Sequence, residues 1–342
     1  MAEERYFISL ADFLRFLKRL ATEYEIFVPS EKDGRFHLGR FVPEETDSLR
    51  LNPCRVVEPL KAFFFPPREK VAEYFAEGAE PEAKKRIIVG AKRCDVAALK
   101  ILDFVFLQGD FEDPFYKSRR ENTVIISSDC GTPVESCFCG MFDSNSYPVN
   151  GFDLNLSEVD DGFVVEVGSE TGRKLTEGFD GFKEATQQQL ERRDNNRKEA
   201  DAQIREKVGA AGLYPAEKAQ GYLLAKMEDA MWARHAENCV ECGACNFVCP
   251  TCHCFLLIDL EEAGKFKRFK DWDSCQYPAF ARVAGGANPR KRRAERLRNR
   301  FEKKFDFFPR NMGSYACTGC GRCVDACPGK IDIRELLKEL AT

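Results

Sequence analysis

Histidine is scarce: three in 342 residues, at positions 37, 235 and 253, none in a spacing such as H-E-x-x-H. His235 reads as a helix-surface residue. No G-x-G-x-x-G follows a strand-like run, no P-loop occurs, and no Ser-His-Asp signature is visible. Dinucleotide, nucleotide and triad-hydrolase chemistry therefore have no support. No apolar stretch approaches the roughly 18 residues of a membrane-spanning helix, so no membrane insertion is expected. The start, Met1-Ala2-Glu3-Glu4-Arg5, has no apolar run behind it; no secretory signal is expected, and the chain reads as cytoplasmic. Neither sign of charge dominates: 52 Lys and Arg stand against 56 Asp and Glu. Bulk charge thus gives no pull toward nucleic acid or acidic lipid.

What is abundant is cysteine, sixteen residues, eleven of them after residue 238. In a secreted protein they would suggest disulfides. Here they come in tight C-x-x-C runs, which suit metal chelation in a reducing compartment. Dense thiolate sites of this kind are oxygen-sensitive, so an anaerobic setting is expected.

Two runs carry the strongest signal: Cys239-x-x-Cys242-x-x-Cys245-x-x-x-Cys249-Pro250 and Cys317-x-x-Cys320-x-x-Cys323-x-x-x-Cys327-Pro328. Both follow the C-x2-C-x2-C-x3-C-P spacing of bacterial ferredoxins, in which the fourth cysteine ligates the other cluster. Two [4Fe–4S] clusters with crossed ligation are expected. One takes Cys239, Cys242, Cys245 and Cys327; the other takes Cys317, Cys320, Cys323 and Cys249. Gly243 and Gly321 follow the second cysteine of each run and let backbone approach the cluster. Zinc ribbons are the alternative, but four thiolates satisfy zinc and two complete runs over-supply it. The 67 residues between the runs, Pro250 to Ala316, read largely as helix and suggest a helical dicluster domain.

The fold class expected is α+β: an N-terminal α/β domain over 1–180 and a helical dicluster ferredoxin domain over 181–342. Ser9 is placed to cap a helix from Leu10 to Leu20. Residues 25–29 and 36–39 flank Asp33-Gly34 and read as a hairpin. Strands are expected at 86–90, 123–128 and 162–167, with a helix from Val96 to Leu107. Residues 183–210 read as a solvated connecting helix. Phe63-Phe64-Phe65-Pro66-Pro67 reads as core or a subunit contact.

The N-terminal half holds a second constellation, Cys94, Cys130, Cys137 and Cys139. Cys94 sits where a strand turns into a helix and Cys130 just past another strand. The carboxyl ends of neighbouring parallel strands are where α/β folds put their sites. A third [4Fe–4S] cluster there is expected; zinc, or thiols without metal, are the alternatives. Cys252, Cys254 and Cys275, with His253 nearby, form a third group, readable as a further cluster, a redox-active thiol set or packing. Cys54 reads as a plain buried thiol. The basic run from Arg290 through Lys304 reads as a charged helix covering anionic clusters or docking an acidic partner, in preference to a nucleic-acid patch.

Lys92-Arg93-Cys94-Asp95-Val96-Ala97-Ala98-Leu99, Ser136-Cys137-Phe138-Cys139, Cys249-Pro250-Thr251-Cys252-His253-Cys254-Phe255, Trp272-Asp273-Ser274-Cys275 and Ala284-Gly285-Gly286-Ala287-Asn288-Pro289-Arg290 together carry a resemblance. From about Phe65 to Ile333 the chain resembles the iron–sulfur subunit of anaerobic sulfite reductase and the beta subunit of cytosolic sulfhydrogenases. The resemblance implies a relay subunit without catalysis of its own. It would stand between a flavoprotein subunit, linked to NAD(P)H or ferredoxin, and a catalytic subunit of hydrogenase, sulfite reductase or heterodisulfide reductase type. The alternative reading makes the N-terminal cysteine set a catalytic centre for disulfide or sulfur reduction.

Overall fold

The computed structural model describes residues 4–45, 54–75 and 84–342; Met1–Glu3, on which the expectation about the start of the chain partly rests, lie outside them. Among the described residues eleven strands form two sheets: β1 (Arg5–Ser9), β2 (Glu25–Lys32), β3 (Arg35–Arg40), β4 (Arg68–Glu73), β5 (Arg86–Ala91), β6 (Thr123–Ser128), β7 (Leu154–Val159), β8 (Gly162–Val167), β9 (Lys183–Glu184), β10 (Phe255–Glu262) and β11 (Lys265–Trp272). The large sheet has the order β3-β2-β5-β6-β7-β8-β1-β9. Its centre, β2-β5-β6-β7, is parallel, and its flanks are antiparallel.

Alternation assigns each face. Ile87, Val89, Val124 and Ile126 point to one side and pack on Phe13, Phe16 and Leu17 of the helix Leu10–Leu20. Ile88 and Ile125 point to the other and pack on Leu99 and Leu102 of the helix Arg93–Leu107. Both faces are covered, so the two central strands are nearly continuous apolar runs. Ser9 caps the first helix as expected, its hydroxyl accepting from the Asp12 N–H. Asp33 and Gly34 both take positive φ, the two-residue turn that the hairpin needs. Phe64 and Phe65 are core, with Phe63 packed against it.

Two expectations need correction. The insertion between the ferredoxin runs is not mainly helical at its start: it opens with the antiparallel hairpin β10–β11, turning through Ala263 and Gly264 at positive φ. Its β11 also pairs with β4, from far earlier in the chain, to make a three-stranded sheet. A short 3₁₀ turn follows at Ala284–Gly286, and α-helix begins only at Arg293. The helix Gln187–Ala210 is not solvated all round. Arg193, Arg197, Ala200 and Ile204 are buried along one stripe. Arg197 reaches Asp129 (2.7 Å) and Glu166, so this stripe is bound by charge rather than by apolar periodicity.

The helical end has its own core, where Trp232, Leu297, Phe301, Phe305, Leu336 and Leu337 meet. Phe138 and Met141, from the loop after β6, insert into that core. The N-terminal cysteine loop is thereby fixed against the ferredoxin region.

Candidate cluster sites

The two runs fold alike. In the first, Glu241 (φ +58°) precedes Cys242 and Gly243 (φ +75°) follows it; in the second, Gly319 (φ +65°) precedes Cys320 and Gly321 (φ +71°) follows it. Each loop then closes into a four-residue helix, Ala244–Phe247 or Arg322–Asp325. A positive-φ residue on each side of the middle cysteine bends both loops in the same way, and turn backbone of this kind suits anions and Fe–S groups.

Cys239, Cys242, Cys245 and Cys327 line one cavity, with Cys323 and Arg300 in its wall. Cys249 acts electrostatically on both Cys317 and Cys323, and Cys320 acts on Cys323, so the second set also gathers. Cys94, Cys130, Cys137 and Cys139 line another cavity, and Cys320 completes its wall. The parallel pairing of β5 with β6 brings the chain after each strand, and hence Cys94 and Cys130, to one sheet edge. Among the described residues no three Cys, His, Asp or Glu side chains meet at the spacing of a single bound ion. The thiols ring cavities instead.

Burial dominates their chemistry. It pushes Cys137 up to about 11, and Cys139, Cys245 and Cys317 up to about 12. These four bare thiols hold their protons at neutral pH, so cluster uptake must release them, whereas Cys249, beside Cys252 and Lys304, is pushed down. Buried cations stand ready for the resulting negative charge. Lys92 donates to Ser128 Oγ (2.8 Å) and the Asp129 carbonyl (2.7 Å) in the wall of the N-terminal cavity. Arg55 donates to Ser136 Oγ at 3.0 Å and pairs with Asp325. Arg300, 5 % exposed, approaches the Cys245 carbonyl at 3.5 Å, and its positive charge acts on Cys323. Thiol sets, positive-φ loops and buried cations fit an anionic iron–sulfur group.

The third group is split. Cys252 turns to Cys249 and Lys304, whereas Cys254 is acted on by Cys275. Cys275 Sγ accepts from Asn246 Nδ2 at 3.0 Å. Cys54 is not an isolated thiol: it acts on Cys130 and Lys92. His235 is half-buried and faces Glu339 Oε2 at 2.7 Å. Sequence reasoning missed Lys92, Arg55 and Arg322 as site residues, and it placed Arg300 and Lys304 only in a basic helix over the clusters, without singling them out as buried beside the thiols. One signal was available: Arg296, Arg300 and Lys304 recur every four positions beside the apolar stripe Leu297, Phe301, Phe305.

A family model described as a 4Fe-4S dicluster domain matches residues 238–331, and a second of the same description matches 189–252. The chain is thus an iron–sulfur dicluster protein with at least two [4Fe–4S] clusters. It is 32% identical over 339 residues to the beta subunit of sulfhydrogenase 2 from Pyrococcus furiosus, across 96% of either chain. The chain belongs to the family of that beta subunit, an iron–sulfur electron-transfer component of a redox complex. It also shares 29% identity over 133 residues with a fumarate reductase (CoM/CoB) subunit from Methanothermobacter marburgensis, over 39% of this chain and 22% of the relative. Among the described residues no helix is long and apolar enough to cross a membrane.

Proposed function

We propose that the chain is a three-station electron relay between a flavoprotein subunit and a catalytic redox subunit. Its stations are Cys94, Cys130, Cys137 and Cys139; then Cys317, Cys320, Cys323 and Cys249; then Cys239, Cys242, Cys245 and Cys327. Bound [4Fe–4S] clusters supply one-electron carriers at these stations. One observation carries the order: Cys320 lines the N-terminal cavity while Cys323, three residues on, lines the cavity of the first run. The second station therefore touches both others.

The protein's residues do the rest. The positive-φ loops and buried Lys and Arg side chains stabilise thiolate-held negative charge. Burial by Phe138, Leu297, Phe301 and Leu336 keeps water from the stations. Cys242 is exposed, whereas the equivalent Cys320 is 8 % exposed. The first run is then the surface port, flanked by exposed Lys291, Arg292 and Arg293, which suit an acidic docking partner. The sulfhydrogenase name of the relative supports a hydrogen- or sulfur-reducing catalytic subunit as the electron acceptor or donor.

The test is dye-driven turnover. The isolated chain should take electrons from reduced viologen yet reduce neither polysulfide nor disulfides, and should gain turnover only with a catalytic subunit present. Steady polysulfide reduction by the chain alone would instead make the N-terminal cysteine set a catalytic centre.

A further inference from the structure

Cys249 and Cys327 occupy equivalent places in the two runs, but their sulfurs meet different donors. Cys327 Sγ accepts from the neutral backbone N–H of Ile331 at 3.3 Å. Cys249 Sγ accepts from the ammonium of Lys304 at 3.3 Å, and the same ammonium stands 3.8 Å from Cys252 Sγ. Lys304 is 3 % exposed and held in place by the Ala316 carbonyl at 2.8 Å and Thr251 Oγ1 at 3.2 Å. No carboxylate pairs with it among the described residues. A desolvated cation without a counter-ion is costly unless negative charge lies close by. The nearest candidates here are sulfurs.

Local backbone supports a built site. Lys304 lies in a single π-turn, Lys303–Phe307, that continues the helix Arg293–Glu302. Such turns concentrate at functional sites. Arg300, four residues earlier, acts on Cys245 of one set and on Cys323 and Cys249 of the other, so its charge is shared between the two stations. Lys304 acts on Cys249, Cys252 and Cys317.

We propose that Lys304 makes the station closed by Cys249 the electron trap of the pair. This rests on the relay reading. An electron delivered by a one-electron reductant settles preferentially beside the fixed ammonium rather than at the Cys327 station. No proton moves and no bond forms or breaks. The oxidised donor is the only other product. The buried middle station would then hold the electron away from the exposed port at Cys242.

The experiment is an EPR-monitored redox titration of the full chain with dithionite, comparing wild type, Lys304→Gln and Lys304→Arg. In Lys304→Gln one of the two ferredoxin-run clusters should fall by at least tenfold in its reduced-to-oxidised ratio, about 59 mV for a one-electron couple, while the other ferredoxin-run cluster and the N-terminal one stay put and Lys304→Arg stays near wild type. Equal movement of both clusters, or of neither, at unchanged iron content would overturn it. Should Lys304→Gln not assemble, wild-type chain labelled with 15N-lysine gives an independent reading. Pulsed EPR of the half-reduced protein should then show a lysine nitrogen coupled to the first cluster reduced. Coupling confined to the second cluster reduced would overturn the proposal. Complete absence of [4Fe–4S] signals in reduced wild type would overturn the relay reading with it.

Discussion

Arg322, lodged between Cys320 and Cys323 of the second ferredoxin run, pairs with Asp95 beside Cys94 at 2.9 Å, and each side chain is 1 % exposed. A buried ion pair thus ties the N-terminal cysteine set to the ferredoxin region. Removing one partner leaves the other charged and desolvated, which costs about 3–5 kcal/mol. Asp95→Ala should lower stability by about that amount in anaerobic guanidinium unfolding. An unchanged midpoint would mean the pair does not hold the two regions together.

Gly319 sits against the same loop. A Cβ there would stand 2.4 Å from Cys139 Cα, and the Phe138 N–H donates to the Gly319 carbonyl at 2.8 Å. Gly319→Ala should therefore displace the Cys137–Cys139 loop and strip iron from the N-terminal site. Gly178→Ala is the control: its φ is also positive (+68°), but nothing lies within 4 Å. Backbone strain of about 1–3 kcal/mol is common to both variants. Iron loss confined to Gly319→Ala is expected, and equal loss in both would assign the effect to strain alone.

Metal analysis counts the stations. With three [4Fe–4S] clusters the chain should hold about twelve irons and as many acid-labile sulfides, falling to about eight in Cys137→Ser. A wild-type value near eight would leave the N-terminal thiols without a cluster. A value near sixteen would bring in Cys252, Cys254 and Cys275.

Oxygen should reach the stations unequally. Cys242 is exposed, whereas Cys320 is buried. Brief air exposure followed by reduction should abolish the EPR signal of the first-run cluster before the second. Simultaneous loss would argue that burial does not protect the middle station.

The parts legible from sequence are those written in short-range pattern. The helix Leu10–Leu20, the Asp33-Gly34 hairpin and the strands near 86, 123 and 162 follow from local periodicity, capping and turn chemistry. The dicluster character follows from the spacing of the two cysteine runs. β4 was not legible, because Arg68–Glu73 is a polar stretch that becomes a strand only by pairing with β11 far along the chain. The β10–β11 hairpin hid in an insertion read as helix. The buried cations were hidden for another reason. A run such as Arg296, Arg298, Arg300, Lys303, Lys304 looks solvated until the fold shows that Arg296, Arg300 and Lys304 face inward. Arg296 pairs with Glu241, whereas Arg300 and Lys304 face the cysteine sites.

The central claim is that two clusters with crossed ligands lie close enough for direct one-electron exchange. The most direct measurement is the EPR spectrum of the fully reduced chain at low temperature. The account predicts [4Fe–4S]⁺ signals broadened and split by magnetic interaction between neighbouring clusters, collapsing to a simple spectrum when Cys249 and Cys327 are both replaced by serine. Sharp, non-interacting signals in the wild type, or zinc with no EPR signal, would contradict it.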